Sequence, residues 1–157
     1  STTFAILMIK NLKIKNKKAK FEYSILTTYD AGMILTGTEI KSIRLGQAHI
    51  AESFCQIKND EVFIVNMHIN EYEFGNIANH IPTRTRKLLM NKKEIKQISK
   101  KIVEKGFTLI PLKVFISERG FAKVEVAIAR GKQIHDKRQS LKDKDNKREM
   151  DRMKNSY

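Results

Sequence analysis

The sequence has no tryptophan, a single cysteine, two prolines and no apolar run longer than six residues. Each shortage excludes something. One cysteine, Cys55, allows no internal disulfide and no cysteine-based zinc cluster. It lies in the alternating run SFCQIK, so a small strand residue is expected there rather than a reactive thiol. The longest apolar run, FAILMI at residues 4–9, falls far short of the ~20 residues of a membrane span. It has no basic segment before it and no small-residue cleavage site after it, so it makes a poor signal peptide. A protein of a reducing cytoplasm, with no membrane partner, is expected.

Catalytic signatures are also missing. The chain has no Walker loop, no GxGxxG, no HExxH and no nucleophile elbow. Its histidines, His49, His68, His80 and His135, are scattered without ligand spacing, so neither a metal nor a cofactor is expected. His135 and Asp136 are adjacent, and neighbouring side chains diverge on a strand and on a helix alike. They do not make an acid–base dyad, and no catalytic residue is assigned.

Acids are scarce too. The 157 residues hold 17 Asp and Glu against 31 Lys and Arg, a net charge of +14 with a pI near 9.9. That excess argues for a polyanionic partner, nucleic acid ahead of an anionic membrane. Residues 131–157 carry nine cations and five acids, so most of the excess belongs to the rest of the chain. At 41% hydrophobic residues, the chain can fill one modest core.

What is present reads as an N-terminal arm over 1–15, a folded unit over 16–134 and a basic tail over 135–157. Residues 10–20, KNLKIKNKKAK, read either as a solvated arm or as one that contacts phosphate through Lys17 and Lys18. FEYSILTTYDAGMILTG reads as strand, bend, strand: Phe21, Tyr23 and Ile25 alternate, and Asp30-Ala31-Gly32 supplies turn chemistry. TEIKSIRLG reads as a short helix that buries Ile40 and Ile43, presents Lys41 and Arg44, and stops at Gly46. Asn59-Asp60 joins the strands SFCQIK and EVFIVNMHI in a hairpin. NEYEFGNIANHIPTRTR reads as a long loop, basic at its exit through Arg84, Arg86 and Lys87.

A helix follows. Asn91 and Glu94 make a capping-box start; Ile95, Ile98 and Ile102 share a face, lysines take the rest, and Gly106 closes it. The last hairpin alternates Val124, Val126 and Ile128 with Lys123, Glu125 and Ala127, and Pro111 belongs at an edge or a bulge. Six or seven short strands with two helices point to a mainly β fold, an OB-like antiparallel barrel with flanking helices. The spacing leaves an open α+β sheet as the alternative. The tail from Asp136 has little to bury and is expected to be disordered in the free protein, yet it is rich in helix formers. It reads as a solubilising tail or as a segment that becomes helical on a polyanion.

Five motifs, NKKAKFEY, YDAG, GTEIKSIRLGQAHI, TRTRKLLMN and GKQIHDKR, occur in this order and span nearly the whole chain from Asn16. Together they resemble small protein B, the SsrA-binding protein family of bacteria. The resemblance implies an OB-like barrel that acts in trans-translation. By this resemblance it would bind the tRNA-like domain of transfer-messenger RNA and deliver it to stalled ribosomes for rescue and tagging of the nascent peptide. The tail would enter the empty mRNA path near the decoding centre. His135 would stack on or hydrogen-bond with small-subunit rRNA, Lys137 and Arg138 would contact backbone, and Asp136 would orient those cations or cap a helix.

On the barrel, the resemblance implies RNA contacts at Asp30, where the family usually has Glu, and at Leu89 and Asn91. By itself Leu89 reads as core, and Asn91 is also the helix cap, so two roles compete for one side chain. Lys41, Arg44, Arg84, Arg86, Lys87 and Lys132 join Lys17 and Lys18 as expected RNA-binding cations. The chain opens STTFAIL, unlike the family's polar, basic arm; Met8 heads a more typical start, so residues 1–7 are expected to lie upstream of it or to be a cloning remnant. A monomer is expected. The rival reading is a generic ribosomal or cold-shock-like RNA binder, which gives no reason for the HDKR run.

Overall fold

Seven strands form one antiparallel sheet in the order Lys13–Lys15, Thr108–Ile116, Ala122–Gly131, Tyr23–Met33, Arg86–Leu89, Glu61–Val65, Phe54–Lys58. The computed structural model describes residues 12–132 and 141–148. In chain order these strands are β1 (Lys13–Lys15), β2 (Tyr23–Met33), β4 (Phe54–Lys58), β5 (Glu61–Val65), β7 (Arg86–Leu89), β8 (Thr108–Ile116) and β9 (Ala122–Gly131). A separate ribbon pairs β3 (Ala48–His49) with β6 (His68–Ile69). The helices are α1 (Ala19–Glu22), α2 (Gly37–Arg44) and α3 (Lys92–Lys105), and residues 141–148 form a further exposed helical stretch.

The long sheet curls until β4 lies against β8, leaving one seam without a ladder. Val62, Ile64, Leu88, Leu109, Val114, Val124, Val126 and Ile128 point inward from four strands, and α3 adds Ile95 and Ile98. Full burial of each such side chain stabilises by about 2 kcal/mol. The expected OB-like antiparallel barrel with flanking helices is what forms. Outside it, α1 rests on Ala127 and Ala129 of β9 through Ala19, with Ile110 alongside. Small side chains there let the helix sit close.

Several local readings hold. Asn59 and Asp60 both take positive φ, 52° and 60°, as a tight hairpin of that hand requires. Asn91 Oδ1 accepts a hydrogen bond from Glu94 N–H at 2.9 Å, Glu94 Oε1 in turn accepts one from Asn91 N–H, and Gly106 ends α3 at φ 68°. Pro111 sits at a register shift in β8. Cys55 is buried, and burial pushes its thiol up to about 12.

Others are corrected. Asp30-Ala31-Gly32 makes no bend, because β2 runs unbroken from Tyr23 to Met33 with β9 along one side and β7 at its end. The irregularity is a bulge between Ile25 and Thr27. Phe21 belongs to α1 rather than to a strand. The run EVFIVNMHI is broken where Asn66 enters the left-handed region at φ 63°, which separates β5 from β6. Within the basic arm, Lys13–Lys15 pair with β8, since Leu12 and Ile14 have a core to pack against.

Candidate nucleic-acid interface

Two segments far apart in sequence, one carrying Asp30 and the other Leu89 and Asn91, meet where β2 joins β7. Gly32 stands directly opposite Leu89, and Asp30 and Asn91 lie two residues from that pair on their respective chains. A side chain at Gly32 would meet Leu89 Cβ at 3.4 Å, so glycine leaves the leucine's flank open. Leu89 is 53% exposed, and Asp30 and Asn91 are exposed as well. The competition at Asn91 resolves atom by atom: Oδ1 serves the cap, and the amide N–H pair is left for another acceptor.

Strand parity sorts the cations next to this ridge. In β7, Lys87 and Leu89 point outward while Arg86 and Leu88 point inward. Arg86, expected to bind RNA, is therefore completely buried and belongs to the core. Its guanidinium pairs with Glu39 of α2 and donates to the carbonyls of Met67 at 2.7 Å and Pro82 at 3.0 Å. Arg84 donates to the other Glu39 oxygen at 2.6 Å and to Ile34 O at 3.3 Å, keeping only part of its surface free. Burial alone would raise the Glu39 pKa. Hydrogen bonds from Arg84, the Thr36 N–H and Arg86, with the charge of Arg86, bring it down to about 2. The node ties the long loop to α2. His80 adds a second tie, its Nε2 donating to Ile69 O and its Nδ1 meeting the Thr38 hydroxyl, both at 2.9 Å.

The remaining expected cations do not gather on the ridge. Lys87 is held by Glu61 at 3.0 Å. Lys41 lies over the Tyr72 ring at 5.4 Å, and Arg44 donates to Gly120 O, both from the exposed side of α2. Lys17 and Lys18 flank α1, where Lys18 pairs with Glu52 at 3.2 Å. The Lys132 backbone N–H donates to Glu22 O at the C-terminal end of α1. His135, Asp136, Lys137 and Arg138 lie outside the described residues.

Sequence reasoning missed one row of the outer face. Lys13, Phe115, Lys123, Gly32 and Leu89 are consecutive partners across five strands, and Lys15, Lys113, Glu125 and Asp30 form the next row. The alternation of Lys123 with Val124 was visible, but pairing alone reveals that it continues into the Asp30–Leu89 ridge.

The barrel has counterparts among known proteins. Residues 13–156 match the SmpB protein family. The chain belongs to the SmpB family. The SsrA-binding protein of Flavobacterium psychrophilum is 55% identical over 150 residues, covering 96% of this chain and all of that one. That of Christiangramia forsetii is 46% identical over 154 residues, 98% of each. A solved chain described as "tmRNA-SmpB: a journey to the center of the bacterial ribosome" superposes with a TM-score of 0.66. It is 41% identical, over 83% of this chain and 94% of that one.

In this SmpB-family chain the ridge and the C-terminal end of β9 lie toward opposite ends of β2. Tyr23 pairs with Gly131, whereas Asp30 pairs with Glu125. Seven residues of extended strand separate the two ends by ~23 Å. Among the described residues, no helix is long and apolar enough to cross a membrane, and no group of three or more His, Cys, Asp or Glu is placed to hold a metal.

Proposed function

We propose that this protein binds the tRNA-like domain of transfer-messenger RNA and carries it to stalled ribosomes in the cytoplasm, acting by recognition and not by catalysis. Relatives named SsrA-binding proteins cover nearly its full length, and the matched solved chain comes from work on tmRNA and SmpB at the ribosome. The observation that carries the residue-level reading is the common ridge of Asp30, Leu89 and Asn91.

The chemistry divides by residue. A carboxylate is repelled by phosphate, so Asp30 accepts hydrogen bonds from 2′-hydroxyl or base amino groups, which gives discrimination. Asn91 donates its free amide hydrogens. Leu89 packs on a base or sugar. The cations Lys17, Lys18, Lys41, Arg44, Lys87 and Lys132, with the free part of Arg84, add attraction that does not read sequence. From the other end of β2 the tail reaches into the empty mRNA path, with His135 on small-subunit rRNA and Lys137 and Arg138 on its backbone. Two-ended geometry suits an adaptor.

Competition binding tests this. Transfer-messenger RNA should displace bulk RNA of similar length at near-physiological salt. Equal affinity for unrelated structured RNAs would leave the generic ribosomal or cold-shock-like binder.

A further inference from the structure

We propose that the solvent face of α3 is a phosphate track, and that Lys93, Lys96 and Lys100 hold the backbone of the same RNA that docks on the ridge. The proposal rests on that docking. Helix α3 starts at Asn91, so its first turn leaves the ridge directly. Ile95 and Ile98 are buried, with Ile102 packed against the core; Lys93, Lys96 and Lys100, at i, i+3 and i+7, occupy the opposite side. All three are exposed, and they span ~10 Å of helix axis.

Cations far outnumber acids on this helix. The helix carries Lys92, Lys93, Lys96, Lys100, Lys101 and Lys105 against two acids, Glu94, which serves the cap, and Glu104 near the C-terminus. Among the described residues no ion pair holds any of the six lysines, whereas Lys18, Arg84, Arg86, Lys87 and Lys113 all face carboxylates. Lys92 with Lys96, Lys96 with Lys100, and Lys101 with Lys105 are like charges at i, i+4, which weakens a helix. Lys92 and Lys93 also sit at the positive end of the helix dipole. This helix is therefore built against its own electrostatics, and a polyanion laid along it removes the conflict.

RNA phosphodiester fits better than an acidic protein, because the stripe begins at the base-contacting ridge and continues it. The test uses the full chain and transfer-messenger RNA over a salt series. The triple variant K93Q/K96Q/K100Q should flatten the slope of log Kd against log salt by about three. Its affinity at near-physiological salt should fall ~10-fold or more, while the Tm stays level or rises. K142Q/K144Q/K147Q makes the same change in net charge on the exposed 141–148 helix and should leave the slope alone. Leu89→Ala should lower affinity with no change of slope. A wild-type slope in the α3 triple overturns the track, as does an equal loss in the 141–148 triple. Wild-type affinity in Leu89→Ala would instead remove the ridge.

Discussion

Arg86 and Glu39 form an ion pair whose two side chains are both completely withdrawn from solvent. Glu39 also accepts the Thr36 N–H as part of the capping box that starts α2, so one carboxylate holds a helix, a strand and the loop exit. Removing one partner of such a pair leaves a buried charge without compensation. The pair thereby fixes β7, and β7 carries Leu89 to the ridge.

Arg86→Ala should therefore cost ~3–5 kcal/mol of stability, far more than Arg84→Ala, since Arg84 is partly exposed. Urea denaturation of both variants would measure this. If Arg86→Ala unfolds like the wild type yet loses RNA, the residue contacts RNA after all.

The same carboxylate gives an acid-dependent term. In the folded chain the Glu39 pKa lies at about 2, below its ordinary 4.5, so the ionised form is the one folding favours. Its contribution is complete above 4.5 and is lost as pH falls from there toward 2. Glu39→Gln should be markedly less stable than the wild type at pH 7, with the gap narrowing near pH 3. A gap that does not change with pH would rule out an ionised Glu39 as its source.

Asn91 separates capping from recognition. Asn91→Asp keeps an oxygen for Glu94 N but removes the amide donors, so the Tm should hold while RNA affinity drops. Asn91→Ala should lose affinity and ~1 kcal/mol of stability together. Normal RNA binding by both variants would take Asn91 out of the interface.

Cutting the chain at Ser140 removes residues that add nothing to the described core. Its thermal transition and its affinity for isolated transfer-messenger RNA should stay close to wild type. Alanine transfer to a nascent chain on a stalled ribosome should be lost. Full tagging by the truncated chain would make the tail a solubility device.

The features legible in the sequence depend on residues within a few positions of one another. The Asn59–Asp60 hairpin, the Asn91–Glu94 capping box, the αL stop at Gly106 and the inward run Val124, Val126 and Ile128 are of this kind. Net charge is legible for the same reason, since it needs no fold. The resemblance of the five motifs added the ridge residues, but not where they stand.

Tertiary pairing decided the rest. Arg86 and Lys87 are adjacent cations, and the pleat of β7 sends one to the core and the other outward. Asp30-Ala31-Gly32 has the composition of a turn, yet ladders to β9 and β7 keep it extended. The Asp30–Leu89–Asn91 ridge exists because Gly32 is opposite Leu89, 57 positions away. Composition sets what a segment can do. The hydrogen-bond partner it finds across the sheet determines which way its side chains face.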